Sequence, residues 1–310
     1  MQNKITGALL GMAIGEALEN NVLHGIADTE ELKIGEETLM ALRVGEALLE
    51  SQTEESFVIS FANKLKEWHS SIDPQTTVFT PSSQTSFAAC WKMKEGVSLE
   101  DSGIPTATDS GSAMRAVPIG LYCTQPEQVV NYAISASGIT HSHELCLCGS
   151  VAAAYITHLA LTGVSSGVWA NELVKINYCK EFKDIIKLAA ENTGIDKPVK
   201  YVMSDKCLGS GQLVHETVAF ALYSCMRYTR YDFAVMLAAS SHSPGAATLT
   251  GAWMGAKLGQ EGIPEAWISK LINKDKLLTM ADNIIKTKHQ AISQSSLAVV
   301  QEKQIVQKAV

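Results

Sequence analysis

Residues 5–18 read ITGALLGMAIGEAL and residues 249–259 read LTGAWMGAKLG, with glycine at every fourth position of both stretches. Residues four apart share one face of an α-helix, so each stretch predicts a helix with a face free of side chains. Each glycine costs a helix up to about 1 kcal/mol. A cost repeated six times is better explained by a contact that offsets it than by glycines tolerated by chance. We therefore expect these helices to allow close backbone approach, in the simplest case to each other. The glycines are Gly7, Gly11, Gly15, Gly251, Gly255 and Gly259.

Apolar residues elsewhere also recur at spacings of three and four, as in helices, and period-two runs of β-branched residues are almost absent. Turn residues such as Pro74, Gly96, Gly163 and Gly194 divide the chain into about a dozen helices. No linker-like stretch marks a domain boundary. The sequence predicts an all-α, single-domain, multi-helix bundle over residues 1–290, followed by a more polar C-terminal tail, 291–310. Two clear examples of the spacing are Phe57, Phe61, Leu65 and Trp68, and Val218, Leu222, Cys225 and Met226.

Composition excludes several classes of protein. Of 310 residues, 46% are apolar and 18% charged, which is unlike a disordered or collagen-like chain. The net charge of −7 argues against nucleic acid or anionic lipid as a partner. No signal peptide is recognisable, and Glu16 and Lys257 make a membrane-dimerisation reading of the glycines poor. Seven cysteines, an odd number in apolar surroundings, favour reduced thiols and a cytoplasmic location.

Two acidic residues open a predicted amphipathic helix. Glu36 and Glu37 follow Gly35 and precede Thr38, and the apolar positions Leu39, Leu42, Val44 and Leu49 come next. Adjacent carboxylates suit general acid–base chemistry or metal binding. They are equally typical of a helix N-terminus, where the macrodipole favours negative charge.

A second candidate is the stretch TDSGS at 108–112, which leads into Ala113, Met114 and Arg115. Small polar residues and a glycine before a helix leave backbone N–H groups that suit an anionic group such as a diphosphate. Ordinary helix capping gives the same sequence.

The third candidate is the stretch THSHE at 140–144, with Cys146 and Cys148 just beyond it. Two histidines and two cysteines suggest zinc, but the spacing is not that of a structural zinc site. A single histidine facing a pocket, with the cysteines filling the core, fits the pattern better.

Two loops complete the set. SHSPG at 241–245 precedes the second glycine-rich helix, and we expect Ser243 to cap that helix and Pro244 to be its first residue. LGSGQ at 208–212 precedes the helix that contains Val218 and is able to approach a ligand closely.

These pieces occur in an order that resembles the ADP-ribosylglycohydrolase family, over residues 3 to about 272. The resemblance implies a compact all-α protein that binds ADP-ribose in a cleft and hydrolyses ADP-ribosyl linkages with two magnesium ions. The matching stretches are GALLG through GEAL at 7–18, EET with MAL at 36–42, GSAMR with PIG at 111–120, TH at 140–141, and 251–256 with Ile263, Pro264 and Trp267.

The family's metal motifs are altered here. By resemblance, magnesium is held by Thr-Asp-Asp-Thr and by a late Asp-x-Asp-(Thr/Ser); this chain has Gly35-Glu36-Glu37-Thr38 and His242-Ser243-Pro244-Gly245. Proline and glycine offer no side-chain ligand. The resemblance therefore implies Glu36 and Glu37 as the catalytic carboxylates, and at most a remnant single-metal site of Glu36, Glu37 and His242. We expect no cofactor, because most of the magnesium ligands are missing.

The ligand-binding half is better preserved. By resemblance, the backbone amides of Ser110, Gly111 and Ser112 approach a diphosphate, and His141 with Thr140 lies near the terminal ribose. Asp109 stands where the family often has glycine, and its carboxylate repels a diphosphate unless it turns away.

Three functions remain open at this point. The first is a protein that binds ADP-ribose or a related nucleotide, alone or on an ADP-ribosylated protein, and has lost the dinuclear magnesium site, as lens crystallins of the same family imply. The second is an active hydrolase with an altered or mononuclear metal site, in which Glu36 or Glu37 is the general base and His242 binds one metal. The third is a structural helical scaffold. We favour the first, because several metal-ligand positions have changed together.

Overall fold

Apolar side chains spaced three and four apart form helices where the sequence predicts them, which confirms the all-α class. The computed structural model describes residues 1–23, 30–73, 80–177, 179–194 and 197–290. Within these ranges the only β-type pairing is an isolated bridge between Leu32 and Leu271. The helices are α1 (Gln2–Leu23), α2 (Glu36–Glu50), α3 (Glu54–Ser71), α4 (Pro81–Lys94), α5 (Gly111–Met114), α6 (Val117–Tyr122), α7 (Pro126–Gly138), α8 (Glu144–Leu161), α9 (Trp169–Ile176), α10 (Lys180–Glu191), α11 (Val199–Val202), α12 (Val214–Arg227), α13 (Tyr231–Ala239), α14 (Ala246–Leu258), α15 (Glu265–Lys270) and α16 (275–290).

Turn residues end several of these helices as expected. Gly96 and Gly163 follow α4 and α8 with positive φ angles of 89° and 87°. Pro74 and the predicted tail, 291–310, lie outside the described residues, so the division at residue 290 stays a prediction.

Helices α1 and α14 contact each other backbone to backbone along their glycines. A Cβ atom added to Gly255 would lie 2.0 Å from the carbonyl oxygen of Gly7, and one added to Gly251 would lie 2.1 Å from that of Gly11. No real Cβ comes so close to a backbone atom, so the contact exists only because side chains are absent. The expectation that the two helices pack on each other is confirmed. The facing pairs show that the helices run antiparallel: Gly7 with Gly255, Gly11 with Gly251, and Gly15 with Ala247.

Gly259 has two roles. It lies beyond α14, with φ +79°, and ends the helix. It also lies against α1, because a Cβ on Gly7 would be 2.5 Å from its carbonyl carbon. The side chain of Asn3 fills the adjacent space and accepts a hydrogen bond of 2.9 Å from the amide of Gln260. Glycine adopts a positive φ at no steric cost, which suits it to this position.

Helix α8 lies inside the bundle. It is long and apolar enough by composition to cross a membrane, but 89% of it is buried within the protein. The indole of Trp253 on α14 donates to the carbonyl oxygen of Ala153 on α8 over 3.1 Å. On another side, a Cβ on Gly120 of α6 would lie 2.1 Å from the carbonyl oxygen of Ala154. The apolar sequence of α8 is therefore that of a core helix.

The cysteines are buried core residues. All seven are buried and none forms a disulfide, as the sequence predicts. Burial raises the pKa of the Cys90, Cys123, Cys146 and Cys225 thiols to about 12, so these thiols stay protonated and unreactive at neutral pH.

The α1–α14 contact predicts a large effect of a single methyl group. We expect Gly255→Ala to lower the free energy of unfolding by about 2–4 kcal/mol, because its Cβ meets backbone that cannot yield. Gly138, at the end of α7, has no atom within 4 Å of an added Cβ, so Gly138→Ala should leave stability unchanged or raise it by up to about 1 kcal/mol. Urea unfolding of the two variants checks this, and equal stabilities would contradict the backbone contact.

Candidate functional site

A carboxylate from α1 occupies the N-terminus of α2. Glu16 accepts hydrogen bonds from the amides of Glu37 and Thr38, at 2.9 and 3.1 Å, and from the Thr38 hydroxyl at 2.5 Å. A Cβ on Gly35 would lie 2.2 Å from the Glu16 carboxylate, so this arrangement requires glycine before the helix. Burial raises the pKa of the Glu16 carboxyl, although these hydrogen bonds act in the opposite direction. The predicted start of α2 is confirmed, and its cap is a residue twenty positions earlier.

The two predicted catalytic glutamates differ in their surroundings. The Glu37 carboxyl is partly buried and accepts a hydrogen bond of 2.6 Å from the Ser82 hydroxyl on α4. Burial, with the nearby charges of Glu16 and Glu36, raises the pKa of Glu37 to about 8. Glu36 is hydrogen-bonded to Trp68, and burial raises its pKa as well. Glu37 therefore points into the molecule, where a raised pKa favours its protonated form at neutral pH.

The loop before α14 differs from the sequence prediction. Neither Ser243 nor Pro244 begins the helix; Gly245, with φ +91°, is the capping residue and α14 starts at Ala246. The reason is a second α1 carboxylate: Glu19 accepts from the Gly245 amide over 2.9 Å and from the Thr248 hydroxyl over 3.4 Å. Because Glu19 supplies the cap, a serine cap is not needed.

Other contacts fix this loop to its neighbours. The Ser243 hydroxyl donates to the carbonyl oxygen of Gly211, and the Ser110 hydroxyl donates to that of Pro244, over 2.9 and 2.7 Å. His242 is exposed with φ 58°, a conformation that few residues other than glycine adopt. The loop at 108–112 and the loop at 241–245 are thus joined.

A buried polar chain lies beneath the loop at 108–112. Arg115 donates to the Thr140 hydroxyl, which is 2.7 Å from Nδ1 of His141, and Nε2 of His141 is 2.9 Å from Oδ1 of Asp109. One proton assignment fits the contacts of His141: the threonine donates to Nδ1, and neutral His141 donates from Nε2 to the carboxylate. Asp109 also accepts from the Gly111 amide, at 3.1 Å, and from the Thr85 hydroxyl, at 2.8 Å.

Burial sets the charge states along this chain. Burial lowers the pKa of His141 despite the neighbouring carboxylate, which agrees with a neutral imidazole. Burial acts to raise the pKa of Asp109, but its hydrogen bonds with His141, Thr85 and Gly111 hold that pKa well below its usual range. Burial lowers the pKa of Arg115 to about 10, so this guanidinium remains the cation opposite the Asp109 carboxylate. Asp109 does turn away from the loop surface, onto donors of its own chain.

The loop at 108–112, the loop at 241–245 and the N-terminus of α2 meet in one region, here called the junction. The residues predicted to bind a ligand all lie there, but their side chains are directed inward. Ser110, Ser112 and His141 are buried, and the Ser112 hydroxyl donates to the Cys146 carbonyl oxygen over 3.3 Å. The resemblance implies recognition by backbone amides of the loop at 108–112, and the Gly111 amide already donates to Asp109. The ligand-binding role of Ser110, Gly111, Ser112 and His141 stays a prediction.

The amides of the loop at 208–212 also have an internal partner. Glu216 accepts hydrogen bonds from the amides of Gly211, Gln212 and Leu213, at 2.9, 3.0 and 3.3 Å. The loop closes on the first turn of its own helix, α12, and its glycines at 209 and 211 have positive φ angles of 82° and 80°. Its sequence is explained by this closure without a ligand.

The donor set does not fit two magnesium ions. The hydroxyl of Thr38 donates to Glu16, Glu37 is bonded to Ser82, and the late loop offers an exposed imidazole beside Pro244 and Gly245. Magnesium requires six oxygen ligands in near-ideal geometry. Across the described ranges, no group of three or more His, Cys, Asp or Glu side chains is placed to hold a metal ion, and this includes the trio of Glu36, Glu37 and His242 and the group of His141, His143, Cys146 and Cys148.

Sequence reasoning missed the residues that organise the junction. Glu16 and Glu19 are buried acids three apart on an otherwise apolar helix, and Arg115 is a fully buried cation in an apolar stretch. Charged residues are almost never fully buried unless they are paired. A charge isolated in an apolar helix was therefore the available signal, although it does not identify the partner.

The chain is similar to known proteins in sequence pattern and in fold. A family model for ADP-ribosylglycohydrolase matches residues 1–293. The chain is similar to a solved structure named an ADP-ribosylglycohydrolase-related protein complex, with a TM-score of 0.70 and 16% identity, over 92% of this chain and 98% of the other. At that identity the likeness shows a common fold. No curated protein sequence matches the chain at a significant level.

The buried Glu19 predicts a stability that falls with rising pH. Burial raises its pKa from 4.5 to about 8, so between these values the folded chain keeps a proton that the unfolded chain releases. Unfolding free energy should therefore decrease from about pH 5 to pH 8. Glu19→Gln keeps an acceptor for the Gly245 amide but cannot titrate. The unfolding free energy of this variant should therefore decrease less over the same pH range, and the decrease that remains should come from Glu16 and Glu37.

Urea unfolding at several pH values measures this slope. The matched control is Glu67→Gln, an exposed glutamate on α3, which should keep the full slope. A Glu19→Gln variant with the same slope as the control would show that this carboxyl does not titrate in that window.

The polar chain under the loop predicts a specific loss of stability. Asp109→Asn replaces an acceptor of three hydrogen bonds with a group that must also bury two N–H donors, so we expect a loss of about 2–4 kcal/mol. Asp205→Asn, at an exposed position, should change stability by less than about 0.5 kcal/mol. Thermal or urea unfolding compares the two, and a neutral Asp109→Asn would refute the proton assignment.

Proposed function

We propose, because the chain belongs to the ADP-ribosylglycohydrolase family, that it binds ADP-ribose or a related nucleotide without the family's two-magnesium chemistry. The observation that carries this is the loop before α14. It offers His242, Pro244 and Gly245 where resemblance requires oxygen ligands, and its Gly245 amide is bound by Glu19. A binding protein with a changed metal site accounts for both the retained fold and the altered loop.

Three features support nucleotide binding at the junction. The loop at 108–112, the N-terminus of α2 and the loop at 241–245 meet there, through Ser82 and Ser110. Arg115 lies buried beneath as a cation in a low-dielectric setting, where its attraction for an anion is stronger than in water. The Asp109 carboxylate is directed onto internal donors, which lessens its repulsion of an anionic ligand. The ligand would be either a free nucleotide or the ADP-ribosyl group of a modified protein.

A second candidate is hydrolysis that needs no metal, and the placement of Glu37 favours it. This carboxyl is partly buried, is held by the Ser82 hydroxyl, and lies next to the loop through the same serine. A carboxyl with a raised pKa is protonated at neutral pH, so it is suited to give its proton to the leaving group and then, as a carboxylate, to accept one from the attacking water. In this scheme Glu37 is first the general acid and then the general base, and Ser82 fixes its orientation.

Isothermal titration calorimetry with ADP-ribose tests the binding proposal. We expect one site whose affinity does not change when magnesium is replaced by a chelator. Gly111→Val should weaken binding at least about tenfold, because a side chain there displaces Ser82, whose hydroxyl lies 2.2 Å from an added Cβ. Gly194→Val, in open space, is the matched control. Absence of binding would leave the scaffold reading, and binding unaffected by Gly111→Val would place the site elsewhere.

Release of ADP-ribose from ADP-ribosylated arginine or serine protein separates the two candidates. We expect no magnesium-stimulated release. Release that persists in chelator and is lost in Glu37→Gln would support the metal-free hydrolase. Magnesium-dependent release abolished by the same substitution would overturn the proposed loss of the magnesium site.

A further inference from the structure

An open groove lies beside the junction, on the other side of the segment that carries His141. It has a volume of about 790 Å³ and is formed by the first turns of α3, the end of α7, the loop at 99–100 and the start of α8. Ile139 and Ser142 line it, whereas Thr140 and His141 between them belong to the polar chain. The groove is therefore a surface distinct from the nucleotide junction but next to it.

The floor of the groove is apolar and incompletely covered. Ile59 is 49% exposed, although it is a large aliphatic residue on a helix of the core. Most of its neighbours on the floor are partly exposed, although Ile139 is buried, and an exposed patch of this kind marks interaction surfaces. The remaining apolar side chains are Val58, Leu99, Ile134, Ile139 and Leu147.

The charged residues of the groove are all acidic. Glu54, Glu55 and Glu100 line it, and no lysine or arginine does. Glu54 accepts a hydrogen bond from Ser135 within the groove. The side chains of Glu55 and Glu100 are exposed. An apolar floor with an acidic edge is complementary to an apolar segment that carries positive charge.

We propose that this groove docks a segment of another protein in which leucine- or isoleucine-like anchors stand beside arginine or lysine. The charge disfavours the simplest alternative, a second copy of this chain through the same face, because a two-fold contact would set acidic edge against acidic edge. The open shape suits an extended segment better than a small molecule, which needs enclosure on most sides. The inference stands on the groove alone and does not depend on nucleotide binding.

Fluorescence anisotropy with a labelled synthetic peptide tests the docking. The probe carries two leucines four residues apart, flanked by arginines; the comparison peptides replace the arginines with glutamates or the leucines with serines. We expect saturable binding of the first peptide, and affinities weaker by at least about fivefold for each comparison. Absence of saturable binding up to about 1 mM would overturn the proposal.

Matched variants locate the binding. Ile59→Ser and Glu55→Lys should each weaken the peptide at least about fivefold, and added salt should weaken it further. Glu67→Lys makes the same charge change on an exposed position of α3 outside the groove, and Phe233→Ser removes an apolar side chain that is 51% exposed on α13. Both controls should bind within about twofold of the unaltered protein.

Equal weakening by Glu67→Lys and Glu55→Lys would show attraction to net charge only and overturn the proposal. Sedimentation of the unaltered protein gives the other decisive result. A dimer that Ile59→Ser converts to monomer would assign the groove to a second copy of the chain.

Discussion

The backbone contact between α1 and α14 is the constraint on which the junction depends. With no side chain between the facing glycines, the two helices can neither approach further nor slide without a clash. Glu16 and Glu19 project from this fixed helix, and each reaches the N-terminus of another helix, α2 or α14. A change in the position of α1 would displace both carboxylates together. The glycines therefore determine the placement of the polar residues as well as the packing.

Carboxylates of the protein itself accept hydrogen bonds from backbone amides at several of the described helix starts. Glu16, Glu19, Asp109 and Glu216 each accept from amides at or just before a helix start. A carboxylate at a helix N-terminus is favoured by the dipole, and burial makes the paired amides costly to leave unsatisfied. In a family identified with metal and phosphate chemistry, groups that bind anions are here occupied by the protein's own acids. These acids therefore stabilise the fold at the junction, a role that its motifs alone do not indicate.

The sequence predicted local features well and long-range ones poorly. The glycine spacing predicted the facing helices, and Gly35-Glu36-Glu37 predicted the start of α2, because both follow from helical periodicity and helix-end preferences. The predicted start of α14 was wrong for a physical reason. Ser243 and Pro244 have the local preferences of a helix start, but Glu19, 226 residues from Gly245, supplies the cap. The chain from Arg115 to Asp109 was missed for the same reason, since its members come from two separate segments, 109–115 and 140–141. Side-chain partners across the fold leave no periodic trace.

The position of the glycine contact in the chain also governs when the fold can be completed. Helix α1 is synthesised before the other described helices, and its residues 5–17 are all buried in the finished protein. Its partner surface is made more than 220 residues later, a delay of about ten to fifty seconds at ordinary rates of translation. Throughout that interval the glycine face of α1 is without its native partner, α14. The closing step of folding must therefore join the two ends of the domain, which gives this all-helical protein a dependence on non-local contacts that is more usual among β-sheet proteins.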